Sequence, residues 1–188
     1  MKKLLIVLGI LVVVGLMAFG WYRQGYDTAI SLDEQVKSGW AQVENQLQRR
    51  NDLIPNLVNT VKGFAAQEKS ILTEVTRLRS QWGEAKTVNE KIDTANQLTG
   101  TLSRLLLVSE NYPQLKSNEN FLALQSQLEG TENRIAVERM RYNEAVQQFN
   151  RFRRSLFGRF FSSSAGLQND AVYFKAAETA KQVPQVNF

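Results

Sequence analysis

The feature that most constrains the fold is a stripe of apolar residues that recurs at alternating steps of three and four. The stripe runs from Val36 to Trp82, and only Arg50 and Glu68 place charged side chains in it. A repeat of 3.5 residues is typical of a helix that packs against other helices. The stripe therefore predicts one helix over about residues 28–84, which would be about 80 Å long.

Pro55 lies in the middle of this stripe. A proline removes one backbone hydrogen bond and pushes against the carbonyl four residues earlier, which costs ~3 kcal/mol inside a helix. Since the stripe keeps its phase on both sides, we expect a continuous helix that is kinked at Pro55. The alternative is a new helix capped by the carboxylate of Asp52, with Pro55 in its first turn, where the missing N–H would have no partner.

Two further stripes follow along the chain. The first predicts a shorter helix over about residues 88–110, and the second predicts a long helix over about residues 117–157. The shorter helix cannot cover the first helix along its whole length. We therefore expect part of the first helix to stand clear of the others, or to be covered by the C-terminal segment or by another subunit.

Local signals mark the ends of these helices. Pro113 forces Tyr112 out of the helical conformation, and Ser117 or Asn118 can cap the helix that follows. Residues 162–170 have the composition of a linker.

The composition predicts an all-α protein, because helix-favouring residues dominate and no long Val/Ile/Thr-rich alternating run occurs after residue 25. We expect an N-terminal membrane anchor over residues 1–25 and a body of long helices over residues 26–160. A linker and a short C-terminal helix would occupy residues 161–188.

The chain contains no histidine and no cysteine. This absence excludes the usual zinc ligands, the cysteine and Ser-His nucleophile systems, and any disulfide framework. Carboxylates alone could still hold a metal, and a Ser-Lys pair could act as a nucleophile, but no spacing indicates either. We therefore expect no enzyme, no cofactor and no metal site.

Residues 4–22 carry no charge, and about 19 apolar residues suffice to cross ~30 Å of hydrocarbon. We expect a retained anchor, whereas the alternative is a signal peptide cleaved near Ala18-Phe19-Gly20. Lys2 and Lys3 place the N-terminus in the cytoplasm, with the rest of the chain exported. The representative anchor residues are Leu4, Ile10, Leu16, Trp21 and Tyr22, of which the last two occupy interfacial positions.

Three blocks of the chain resemble the LemA family of bacterial membrane proteins. They are WAQVENQLQRRNDLIPNLVNTVKGFAAQE, ENYPQLKSNENFLALQSQLEGTENRIAVERMRYNEAVQQFN and the terminal PQVNF. The Arg-x-Asp-Leu-Ile-Pro-Asn-Leu-Val and Tyr-Pro-x-Leu-Lys motifs within them are specific to that family. The resemblance implies an N-terminal anchor and an antiparallel, up-and-down bundle of about four helices, without an established enzymatic activity.

Together with the charge bias around the anchor, we expect a location in the bacterial inner (cytoplasmic) membrane, with the bundle on the periplasmic or extracellular side. A family member in magnetosome-forming bacteria is associated with building membrane compartments. This chain departs from the family at Leu156-Phe157-Gly158, where members often read Phe-Pro. The path out of the long helix before these residues is therefore expected to be less rigid.

Several charged and polar residues lie in the family blocks or on the stripes. Their carboxylates could form a cluster for acid-base work or cation binding. The interpretation that we favour is structural, with Arg50 paired to a glutamate across helices and thereby fixing their register. The candidates are Arg50, Asp52, Pro55, Asn56, Glu68, Glu110, Tyr112, Pro113, Lys116, Glu132, Glu138, Tyr142 and Asn143.

Residues 139–159 contain six arginines and one acidic residue, Glu144. In one interpretation Phe149, Phe152 and Leu156 complete the core and the arginines form a solvated face. In the others, residues 149–164 contact lipid as an interfacial amphipathic helix or bind an acidic partner. If the first and third long helices run parallel, this segment lies at the end far from the membrane. The candidate residues are Arg151, Arg153, Arg154, Phe157, Arg159, Phe160 and Phe161.

These observations predict a non-enzymatic, membrane-anchored scaffold that forms homo-oligomers and organises an envelope complex or the membrane itself. An alternative is an adaptor or accessory subunit of a membrane enzyme such as a protease. The expected partners are the membrane, further copies of this chain and an unidentified envelope protein. Nucleic acid is not expected, because the arginines would face an exported compartment.

Overall fold

The computed structural model describes residues 2–175, and the described chain is helical without strands. This confirms the all-α prediction. The terminal PQVNF block and most of the expected C-terminal helix lie outside the described residues. The six helices of the described range are α1 (Lys2–Phe64), α2 (Lys69–Glu84), α3 (Val88–Ser109), α4 (Pro113–Lys116), α5 (Glu119–Arg154) and α6 (Leu156–Ser164).

The chain forms two compact units. Within the described residues, the first unit contains residues 2–40 and 141–171, and the second contains residues 41–140 and 172–175. Helices α1 and α5 therefore each contribute one part to each unit. The anchor expected over residues 1–25 has no helix break at its end, because α1 continues through that position.

The prediction of one helix over residues 28–84 is wrong. Helix α1 ends at Phe64, the chain turns, and α2 begins at Lys69. The Nε of Arg79 on α2 donates to the backbone carbonyl of Asn51 on α1 at 3.2 Å, so α2 runs back along α1. The stripe keeps its phase across the turn because both helices bury the same kind of face in one core, and a period does not encode direction.

Helix α1 passes Pro55 without a break, so the alternative of a new helix beginning at Asp52 is wrong. The Asp52 carboxylate accepts a hydrogen bond from the Gln48 side chain at 2.8 Å, one turn earlier on the same helix. The kink at Pro55 stays a prediction.

The core of the second unit draws side chains from α1, α2, α3, α4 and α5. Its apolar residues pack at less than one tenth exposure, as expected for a core that excludes water. They are Ile54, Leu57, Val58, Val61, Ala65, Leu72, Val75, Leu78, Leu98, Leu102, Leu105, Leu115, Phe121 and Leu128.

The local signals for helix ends are confirmed where the structure describes them. Tyr112 has a non-helical backbone before α4, as its position before proline predicted. Of the two candidate caps for the next helix, Asn118 is the one used: its side-chain oxygen accepts from the backbone N–H of Phe121 at 3.0 Å. Helix α3 begins with a capping box between Thr87 and Glu90.

The long helix predicted over residues 117–157 ends at Arg154, and α6 begins two residues later. The hydroxyl of Ser155 donates to the carbonyl of Phe152 at 2.7 Å and accepts from the N–H of Gly158 at 3.1 Å. Helix α6 extends to Ser164, so the first residues of the expected linker are helical. A Cβ atom at position 158 would overlap the carbonyl oxygen of Phe152, and only glycine fits this corner.

Replacement of Gly158 by alanine is expected to destabilise the first unit by about 1–3 kcal/mol, because the corner has no room for a methyl group. Urea unfolding of the full chain in detergent micelles, followed by the fluorescence of Trp21 in a variant without the other two tryptophans, measures this loss. Gly100→Ala is the matched control, since a Cβ there meets nothing within 4 Å. Equal stability of the two variants would contradict the prediction.

Candidate functional site

The N-terminal part of α1 has the length and composition to cross a membrane. Its most apolar window has a mean hydropathy of 2.7, and none of that window is buried within the protein. The side chains of Leu4, Ile10 and Leu16 are 74%, 58% and 66% exposed. A row of exposed apolar side chains of this length needs an apolar environment, which the hydrocarbon core of a bilayer supplies.

Helix α6 packs against α1 where this apolar segment ends. The ring of Phe161 lies 4.9 Å from that of Trp21 and 6.1 Å from that of Tyr22, measured between ring centroids. Phe157 meets Trp21 at 5.3 Å, and Phe160 meets Tyr22 at 6.1 Å. This segment therefore lies beside the end of the apolar segment of α1, and the distant position that parallel helices would have required does not apply.

The buried residue of this contact is Phe161, which is 3% exposed. It covers Gly25 so closely that a Cβ atom there would overlap its ring. Three neighbouring apolar side chains stay largely exposed, since Leu156, Phe157 and Phe160 are 84%, 58% and 54% exposed. Phe157 and Phe160 touch Trp21 and Tyr22 but leave more than half of their surface uncovered.

Two of the candidate arginines are held by an acidic residue that sequence reasoning missed. Arg153 and Arg154 both pair with the carboxylate of Asp170, and the Nε of Arg153 donates to it at 2.6 Å. Arg154, and after it Arg153, lower the pKa of the Asp170 carboxyl below its usual value. The available signal was that Asp170 is the one acidic residue between positions 145 and 175.

The chain after α6 is fixed to α5 by a buried side chain. Asn150 is 3% exposed, and its amide donates to the carbonyl of Ala171 at 2.9 Å while its oxygen accepts from the N–H of Ala171 at 2.8 Å. The other two candidate arginines, Arg151 and Arg159, have exposed side chains. The positive charge of this segment is thus partly compensated within the chain and partly presented to the surroundings.

A second polar site lies in the core of the second unit. The guanidinium of Arg50 is 2% exposed and donates to the Glu132 carboxylate at 3.1 Å, to the Thr99 hydroxyl at 2.6 Å and to the Ala95 carbonyl at 3.1 Å. It thereby joins α1 to α3 and α5. Burial lowers the pKa of Arg50, and the charge of Glu132 opposes that shift. The predicted pairing of Arg50 with a glutamate across helices is thus present, and Glu132 is the partner.

The remaining candidate residues of the family blocks lie at separate places in the structure and do not form one cluster. The hydroxyl of Tyr112 donates to the Glu68 carboxylate at 2.8 Å, which ties the turn before α2 to the turn before α4. Among residues 2–175 no three carboxylates lie close enough together to hold a metal ion. Asn56, Glu110, Pro113 and Lys116 are exposed, whereas Glu138 and Asn143 are half-buried on α5.

Tyr142 is the buried aromatic of the contact between α5 and α1 in the first unit. Its ring meets that of Trp40 edge-on at 5.6 Å. A Cβ atom at Gly39 would lie 3.3 Å from the Tyr142 Cα, so the two backbones approach closely. Burial raises the pKa of Tyr142 from its ordinary value of 10.0 to about 12.

This shift predicts a loss of stability in alkali. The contribution of Tyr142 is fully present below pH 10 and is lost as the pH rises towards 12, because the unfolded chain ionises first. Absorbance of tyrosinate during an alkaline titration of the full chain measures the ionisation of Tyr142 that causes this loss. Tyr142→Phe is expected to remove an absorbance step near pH 12. Loss of amplitude near pH 10 in that variant would show that Tyr142 titrates normally.

Comparison with known proteins is consistent with these features. The model of the LemA family matches residues 39–188. Magnetosome proteins MamQ 2 and MamQ 1 of Paramagnetospirillum magneticum are each 28% identical over an alignment of 173 positions, and the matches span 78% of this chain and 62% of theirs. Magnetosome protein MamQ of Magnetospirillum gryphiswaldense is 22% identical over an alignment of 151 positions, and the match spans 66% of this chain and 56% of its own.

This chain therefore spans less than two thirds of the length of each of these relatives. The family match covers most of the chain, including both motifs named above. The protein belongs to the LemA family.

Proposed function

We propose that this protein is a non-enzymatic, single-pass membrane scaffold that self-associates and organises an envelope complex or the membrane itself. The observation that carries the proposal is the continuity of α1. This one helix contains the exposed apolar segment and also supplies Ile54, Leu57 and Val61 to the core of the second unit. The relatives named as magnetosome proteins support an association with membranes.

An up-and-down bundle of four long helices is part of the proposal. Its support is the alternation of direction within the second unit, where α2 runs back along α1 through the contact of Arg79 with Asn51. Helix α3 then runs with α1, since Lys91 pairs with Glu44 and Arg50 contacts Ala95. The role of such a bundle would be to present the outer surfaces of its helices to partners.

The proposed topology places the N-terminus in the cytoplasm and the helical units outside the inner membrane. It is supported by Lys2 and Lys3 before the apolar segment. Since the chain has no cysteine, Ser38→Cys gives a single reactive site on an exposed residue that lies beyond the apolar segment of α1. Labelling of living cells with a membrane-impermeant maleimide supports the topology, and protection until the inner membrane is opened reverses it.

Self-association has a different support from the one that the sequence suggested. Of the stripe residues on α1 and α2, Phe64 is exposed and the others are buried or half-buried. The apolar surface lies on α5 instead, where Leu122, Val137 and Met140 share one outward face and are 47%, 44% and 57% exposed. Burial of this face in a second copy would remove it from water.

Cross-linking of the full chain in its membrane tests self-association. With a single Met140→Cys substitution, a short bismaleimide is expected to give dimers and larger species. Gln127→Cys is the matched control, because this exposed residue lies about 140° around α5 from Met140. A monomer alone with both variants would count against the scaffold, whereas strong cross-linking at position 127 alone would place the interface on another face.

A further inference from the structure

We propose that α6 is an interfacial helix that lies on the anionic lipid surface of the same membrane that α1 spans. The inference rests on the proposed function in one respect, which is that α1 is a retained membrane anchor. It adds a second contact between the protein and its membrane, and it assigns lipid headgroups as the ligand of the candidate arginine and phenylalanine residues.

The first step is the position of α6 along α1. Helix α6 is docked by the buried Phe161, which touches Trp21, Tyr22 and the surface of Gly25. Trp21 and Tyr22 end the uncharged segment that begins at Leu4, which is where aromatic side chains meet the headgroup region of a bilayer. Helix α6 is therefore held at the depth of the membrane surface.

The second step is the character of the outward surface of α6. Leu156, Phe157 and Phe160 occupy one arc of about 100° on its exposed side. Phenylalanine and leucine side chains exposed to this degree on a short helix are typical of interfacial helices, which bury such a face at the boundary between headgroups and acyl chains. The depth of α6 places this arc beside that boundary.

The third step is charge. Arg159 is exposed at the edge of the apolar arc, and Arg151 is exposed one turn before the end of α5. The carboxylate of Asp170 is already shared by Arg153 and Arg154, so its charge is largely compensated before it can offset that of Arg151 or Arg159. Arginine binds phosphate oxygens in a bidentate manner, and basic residues beside a membrane attract anionic lipid. An anionic headgroup fits this surface.

Spin labels in the full chain, reconstituted in vesicles, test the proposal. Single cysteines replace Leu156 on α6, Gly9 in the apolar segment and Ser38 on an exposed face of α1. Ser38 lies about 26 Å along the helix from Trp21. Vesicles contain phosphatidylcholine alone or with phosphatidylglycerol, and the collision rates of each label with oxygen and with a water-soluble nickel chelate are measured.

The label at position 156 is expected to collide several-fold less with the nickel chelate than the label at position 38. The protection should be stronger in vesicles with phosphatidylglycerol. Arg159→Gln in the same chain is expected to abolish the difference in protection between the two kinds of vesicle. Arg134→Gln, which changes an exposed arginine on α5 away from α6, should leave that difference unchanged. Phe160→Cys gives an independent label on the same arc and should behave as position 156 does.

A label at position 156 that meets the chelate as freely as position 38 in both vesicles would overturn the proposal, and the surface would then suit an acidic protein partner. Equal protection in both vesicles would overturn the role of anionic lipid. The label at position 9 distinguishes a failure of the lipid contact of α6 from a failure of the membrane anchor in the proposed function. If Gly9 is in hydrocarbon while position 156 is in water, the anchor stands and the lipid contact of α6 falls. If Gly9 is also in water, the anchor itself is wrong.

Discussion

Replacement of Arg50 by alanine is expected to lower the free energy of unfolding by about 3–5 kcal/mol. The change empties the space of one of the largest fully buried side chains in the described part of the chain. It also removes three hydrogen bonds, to Glu132, Thr99 and Ala95. Urea unfolding of the full chain in micelles, followed by far-ultraviolet circular dichroism, measures the loss.

Arg50→Met separates the two causes of this loss. Methionine fills much of the volume without a charge, and the Glu132 carboxylate that it leaves unpaired is 42% exposed and can be hydrated. The methionine variant is therefore expected to retain at least about 2 kcal/mol more stability than the alanine variant. Equal losses would show that the charged hydrogen bonds, and not the filled volume, stabilise the contact of α1 with α3 and α5.

A substitution of Glu132 tests the same ion pair from its acidic side, with a neighbouring glutamate as the control. Glu132→Gln keeps the shape of the side chain but removes the negative charge next to the buried guanidinium. It is expected to lower the free energy of unfolding by about 1–2 kcal/mol. The loss stays this small because the Glu132 side chain is 42% exposed, and solvent weakens its interaction with Arg50. Glu129→Gln, at an exposed position three residues earlier, should stay within about 0.5 kcal/mol of the natural chain. Equal effects of the two substitutions would contradict a specific role of Glu132.

Pro55→Ala is expected to raise the free energy of unfolding by about 1–3 kcal/mol. Helix α1 passes through Pro55 without a break, so the chain bears the cost of a proline in a helix interior. The ring is half-buried, and its loss removes little packing. Asn56→Ala, at the exposed neighbouring position, controls for helix propensity and should gain about 0.5 kcal/mol.

A loss of stability in Pro55→Ala would contradict this expectation and would have a clear meaning. It would show that the bend predicted at Pro55 is needed to pack α1 against its neighbours. The stability gained by removing the proline would then be smaller than the packing energy lost when the helix straightens.

The sequence predicted the features that depend on neighbouring residues. The uncharged segment that ends at Trp21 and Tyr22, the non-helical Tyr112 and the cap at Asn118 are each read from a few adjacent positions. Their causes are local, namely the length of an apolar run, the clash before a proline and the hydrogen bond of a cap. Such causes act in the same way whatever the rest of the chain does.

For contacts between residues far apart in the chain, the sequence limited the set of candidate partners but did not identify the partner. The sequence predicted that Arg50 pairs with a glutamate and offered several, whereas the structure selects Glu132, which lies 82 residues away. Asp170 was missed because it lies in the chain after α6 whereas its arginine partners are on α5, and no spacing connects them. The position of α6 beside Trp21 likewise follows from packing between segments more than 130 residues apart, and not from any local pattern.

By itself the sequence determined that the chain is helical, which faces are apolar and which segment can cross a membrane, because period, propensity and hydropathy are properties of the chain alone. The tertiary structure decided the direction of those helices. The turn after Phe64 reverses the chain without a phase change, since two antiparallel helices can bury the same stripe as one straight helix. Which helix end meets the membrane-spanning segment was decided by the packing of Phe161 over Gly25, a contact that only the folded chain brings together.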